Sequence, residues 1–184
     1  MKKLVFLLLA VFTVTLVSAQ DVSSVDLKKQ FEKSERRRAE LSDLCASLEK
    51  KSGDQKVDNY AKAVVVAATT AMTNSETLEN FYYREVGVSK DGITEITEKK
   101  PTIEEWSTLA VGIAGESASI TAASNLAEEA IKSAKSQKNP MKAAKIMKHC
   151  DTSAKVLKIL GEESVESAKA VNQIVETLKS GKNL

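Results

Sequence analysis

The sequence predicts an all-α fold, an antiparallel up-down-up-down bundle of four long helices. Three observations carry that expectation. Apolar residues recur with helical spacing along almost all of the chain after residue 21, and strand-like alternation is scarce. Only two of the 184 residues are proline. The helical pattern breaks at just three places, near 52–54, 86–100 and 139–140, and three breaks between long helices with short connections define a four-helix bundle. A content of 42% hydrophobic and 28% charged residues fits one folded domain and excludes both disorder and an integral membrane protein.

Residues 1–19 read as a secretory signal peptide. Lys2 and Lys3 form the charged start, Leu4 to Val17 the apolar stretch, and Val17-Ser18-Ala19 the cleavage site before Gln20. The apolar run is too short for a membrane anchor, which needs ~20 residues. The expected product is residues 20–184, exported to the periplasm of a bacterium or secreted, with no integral membrane segment left. Removing Lys2 and Lys3 leaves 25 basic residues against 25 acidic ones. A neutral chain has no general affinity for nucleic acid, so none is expected as a partner.

The first helix is expected from about Val22 to Lys51, with Val25, Phe31, Leu41, Leu44, Cys45 and Leu48 facing inward. Arg36-Arg37-Arg38 alternates with Glu32, Glu35 and Glu40 and reads as a solvated face of i,i+4 pairs. Ser52-Gly53-Asp54 stops this helix and caps the next, over about 54–85. Within it the uncharged run from Ala63 to Ser75 is too short to cross a bilayer. Residues 86–100 flank Lys90-Asp91-Gly92 and read as either a short β-hairpin or an ordered loop. Thr102 and Glu105 form a capping box that opens the third helix, which runs on to about Lys138. Asn139 and Pro140 then cap and start the fourth, with Gly161 marking a kink or brief break inside it. Ala67, Ala68, Ala71, Gly112 and Gly115 predict close helix approach rather than a roomy cavity.

Cys45 and Cys150 are the only cysteines. In an exported chain a single disulfide between them is the simplest arithmetic. The bundle topology brings both near one pole, at depths of ~9 and ~15 Å from their helix ends. Such a bridge would close a loop of about 100 residues.

No catalytic or metal-ligating set emerges, and no cofactor is expected. His149 is the only histidine, and no Glu-x-x-His pair or haem-attachment motif exists. Cys150 beside His149 resembles a nucleophile with its base, but adjacent helical side chains project about 100° apart. Gly112-x-x-Gly115 lacks the spacing and the Lys-Ser/Thr of a phosphate loop.

Two features remain. Lys132, Lys135, Lys138, Lys142, Lys145 and Lys148 gather around the 138–140 turn and define a basic pole. Lysines close to the start of the fourth helix oppose its dipole, which points to an anionic surface or polymer as a partner. Phe81, Tyr82, Tyr83 and Trp106 lie near the opposite pole, either as a hydrophobic end-plug or as a partner or ligand surface. The function these features favour is that of an exported, non-enzymatic binding or scaffold module working through a protein partner. A membrane-active or lipid-associated bundle, and a small-ligand carrier with its site near the 81–106 aromatic cluster, are the alternatives.

Overall fold

The computed structural model describes residues 24–92 and 94–184. The expected signal peptide, residues 1–19, lies outside them. Among the described residues there are five α-helices: α1 (Ser24–Leu48), α2 (Gln55–Val86), α3 (Ile103–Ser124), α4 (Ala127–Lys135) and α5 (Pro140–Lys179). They form four arms, because only Asn125 and Leu126 separate α3 from α4. Among the described residues there is no β-strand.

Local chemistry sets the helix starts. The Asp54 carboxylate accepts from the Lys56 and Val57 amides at 3.0 and 3.2 Å, satisfying amides that lack an intrahelical partner. The box at α3 is complete, with Glu105 N donating to Thr102 Oγ1 and Thr102 N to Glu105 Oε2. Asn139 caps α5 through Met141 N and Lys142 N, ahead of Pro140 at the first turn. Gly87 ends α2 in the left-handed conformation (φ 78°), a conformation glycine adopts without steric cost.

Three expectations need correction. The 86–100 segment is not a β-hairpin. It turns at Gly92 (φ 72°) and holds a single antiparallel bridge, Val88 to Glu95. Beyond that bridge, Thr97, Glu98, Lys99 and Lys100 are all exposed, so no alternating apolar face exists to support a second strand. Side chains hold the loop instead. Arg84 donates to the Lys99 carbonyl, and Lys90 Nζ reaches Glu35 of α1 at 2.5 Å. The third arm is not one helix but breaks at Asn125, where Ser124 Oγ turns back to the Ile120 carbonyl (2.8 Å) and the Asn125 and Leu126 amides fold into a tight turn. Conversely α5 runs unbroken through Gly161 for 40 residues, ~60 Å.

Packing is not that of a square bundle. The pair α2 and α5 forms the centre, α1 packs on both from one side, and α3 and α4 pack on both from the other. The interior divides into two apolar clusters. One holds Leu41, Cys45, Leu48, Val57, Tyr60, Val64, Ile146, Cys150, Leu157 and Leu160. The other holds Leu27, Phe31, Leu78, Tyr82, Trp106, Ile113, Val171 and Ile174.

The expected Cys45–Cys150 disulfide is not formed; both are buried free thiols in the first cluster. The register explains why. His149 stands opposite Lys50 and Arg37 opposite Glu163, so the residue across from Cys45 is near Ala154. Four residues amount to ~6 Å along the axis. Combined at right angles with the ~4–5 Å left between facing Cα atoms of packed helices, that offset gives ~7–8 Å, beyond what a disulfide spans. Burial raises both thiols above their ordinary pKa, Cys150 to about 11.

Candidate functional site

Between the two apolar clusters a polar layer crosses all four arms. Ser34 on α1, Ser75 and Glu79 on α2, Glu116 on α3, and Glu163, Ser164 and Ser167 on α5 are all buried. Its centre is Glu163, 1% exposed. Oε1 accepts from Ser75 Oγ (2.7 Å), from Ser34 Oγ, and from Ser167 Oγ (3.3 Å). Oε2 accepts from Arg37 Nε at 2.6 Å. Burial pushes this carboxyl up, but the serine hydroxyls and the Arg37 guanidinium outweigh it and hold Glu163 below the usual carboxylate range.

The layer extends outward through arginine. Arg37 Nη2 bonds Glu166 at 2.6 Å, while Arg38 donates to Ser75 Oγ (2.8 Å) and to Glu79 Oε2 (2.5 Å). Arg37 and Arg38, which read as part of a solvated face, therefore reach inward and clamp α1 to α5 and α2. On the far side Glu116, 3% exposed, accepts from Asn74 Nδ2 at 2.8 Å through Oε1, while its Oε2 has no hydrogen-bond partner. Burial first, and then the charge of Glu163, raise its pKa against the hydrogen bonds of Asn74 and Ser164. The layer orders the arms. Two open grooves lie beside α1, lined mostly by charged and polar side chains.

The six lysines of the basic pole, Lys132 to Lys148, are all exposed. Lys132 pairs with Glu128 (2.7 Å); Lys135, Lys138, Lys142, Lys145 and Lys148 have no ion pair among the described residues. Three of the nearby acids are occupied elsewhere. Asp54 takes two α2 amides and also bonds Ser133 Oγ and Gln137 Nε2, Asp58 takes the Ser52 amide, and Glu129 faces Lys56. Met141 sits among these lysines with 85% of its surface exposed. His149 Nε2 donates to the Lys50 carbonyl (2.8 Å), tying α5 to the end of α1, while Cys150 turns into the core. The two are not a nucleophile–base pair.

At the other pole Tyr82, Tyr83 and Trp106 are buried and Phe81 half-buried. Phe81 meets Trp106 edge-on at 5.3 Å, and Tyr82 meets Tyr83 at 5.3 Å and Phe31 at 5.1 Å. Sequence reasoning placed the aromatics and lysines at opposite ends and missed the polar layer. A signal existed. Ser34, Ser75, Glu116 and Glu163 each occupy a position in their helix where the apolar spacing calls for a core residue.

Among the described residues, no group of three or more His, Cys, Asp or Glu is placed to hold a metal ion, and no helix is long and apolar enough to cross a membrane. No family model matches the chain, and neither a curated protein nor a solved structure is similar to it.

Proposed function

We propose that the chain is an exported, non-enzymatic binding module: an up-down-up-down four-helix bundle that presents the lysine pole to a partner. The observation that carries this reading is the set of six exposed lysines around the 138–140 turn, of which only Lys132 forms an ion pair among the described residues and Lys142 lies within the field of Asp54. The alternating direction of the arms is supported by contacts that run in opposite senses. Gln30 meets Glu166 and Lys50 meets His149 between α1 and α5, while Asn74 meets Glu116 and Phe81 meets Trp106 between α2 and α3. The interlocked rings at the far pole favour a plug there over a ligand site, because they contact one another rather than line an opening.

The test uses a photo-crosslinking residue placed at position 145, at the pole, or at position 111, on the exposed outer face of α3. Each variant is irradiated in the native cell envelope and weighed. The expected result is a chain beginning at Gln20, with an adduct from position 145 and none from 111. A bare chain from both positions, or equal adducts from both, overturns the reading.

A further inference from the structure

The lysine pole carries more than charge, and its details select among anionic partners. Met141 is the most exposed of the large apolar side chains described, at 85%, and it lies in the first turn of α5 between Lys138 and Lys142. Val111, at 73%, is its nearest rival, but lies on α3. No acidic residue occupies the first turn of α5, so the positive end of that helix dipole adds to the lysines instead of being neutralised. Lys142 and Lys145 sit against this dipole, an arrangement that costs the free molecule stability and that an anion relieves. The acids left near the pole without a described ion pair or hydrogen bond are Glu49 and Asp151.

At the opposite pole of a second copy Glu98 is matched by Arg84, Glu85 by Lys100 and Glu105 by the Thr102 amide, while Glu95 and Glu104 are exposed. Those acids would answer the lysines but not Met141, because Tyr82, Tyr83 and Trp106 there are buried.

We propose that the pole docks on the surface of an anionic phospholipid bilayer, with Met141 entering the interface and Lys138, Lys142 and Lys145 meeting lipid phosphates. This proposal rests on the reading of the pole as the binding surface. Lysines near an anionic leaflet act additively, and an apolar side chain at their centre gains by leaving water only where the partner has an apolar interior. A soluble polyanion rewards the lysines and leaves Met141 idle. Docking is peripheral and leaves the bundle closed.

The test is flotation of residues 20–184, which hold all five helices and lack the apolar leader that would bind lipid by itself. Vesicles of phosphatidylcholine with and without phosphatidylglycerol are compared, with far-ultraviolet circular dichroism to confirm that each variant is folded. The chain is expected to float with the anionic vesicles alone and to be released by salt. Lys138→Glu, Lys142→Glu and Lys145→Glu together should weaken partition by about a hundredfold or more. Met141→Ser should weaken it roughly tenfold. No flotation, or flotation unchanged by the triple reversal, overturns the proposal. Full-strength binding by Met141→Ser also overturns it and assigns the pole to a soluble polyanion. The crosslinking experiment separates the two levels of the argument. An adduct with a protein at position 145 and no flotation overturns the bilayer while the binding-module reading stands. Equal adducts from 145 and 111 overturn both.

Discussion

On the α1 side of α5, Glu163 is surrounded by three serine hydroxyls and the Arg37 guanidinium, and both its oxygens are occupied. On the α3 side, Glu116 is almost as deeply buried but meets only Asn74 and Ser164, with no guanidinium beside it. The two carboxyls shift in opposite directions, Glu163 down and Glu116 up. Burial alone does not decide the charge of an interior acid; the number of donors aimed at it does. The contrast also distinguishes two ways of attaching a helix. The arm α1 is held at this height by ionic bonds that need both partners, whereas α3 is held by apolar contacts above and below the hydrogen bonds of Glu116 with Asn74 and Ser164.

The largest expected effect comes from breaking the saturated side. Arg37→Ala leaves the Glu163 charge short of its guanidinium and should cost about 3 kcal/mol, read from the midpoint of urea unfolding. A loss below ~1 kcal/mol would mean that the serines alone satisfy Glu163.

Next comes the pH profile, where the two acids act in opposite directions. Glu163 has a depressed folded pKa, so its stabilisation is present above the unfolded value near 4.5 and is lost as pH falls through the folded value. Glu116 has a raised one, so stability declines as pH climbs from 4.5 through its folded value. Glu116→Gln should remove the decline above pH 4.5 and gain roughly 1–2 kcal/mol there. Glu163→Gln should flatten the acid limb. Identical profiles for wild type and Glu116→Gln would show that Oε2 is already satisfied.

The smallest effect provides a comparison away from the layer. Ser153 Oγ is buried in the first half of α5 without a partner. Ser153→Ala should therefore be neutral or raise stability by up to about 1 kcal/mol, with no pH dependence. A clear loss would reveal a hidden acceptor.

What could be read from the residues alone follows from range. Asp54, Thr102 with Glu105, and Asn139 with Pro140 act within four residues, so their chemistry is complete in the local sequence. The lysine pole was legible for the same reason, as a run of exposed i,i+3 positions on either side of one turn. The cysteine pairing failed on register. Depths counted inward from helix ends left an offset of ~6 Å, and that offset is real, set by the long-range pairs His149–Lys50 and Arg37–Glu163. The break at Asn125 was missed because Ala and Ser on either side give no strong stop signal. Gly161 was overread: glycine costs a helix only ~1 kcal/mol, and the apolar contacts of Leu157 and Leu160 offset it. The polar layer was hidden most deeply. Ser34, Ser75, Glu116 and Glu163 each fall on a core position of their own helix, but which of them meet is set only when folding brings the four helices to one level.

The unbroken length of α5 has a consequence for placement. This single helix begins in the lysine pole at Pro140 and ends beside Leu178, which packs on the aromatic plug. A particle standing on its lysines carries its other end ~60 Å away. The surface charge it stands on is screened within about 8–10 Å. In the proposed docking, the aromatic end, with the loop that Lys90 folds back onto Glu35 and Glu79, would stand beyond the reach of that charge.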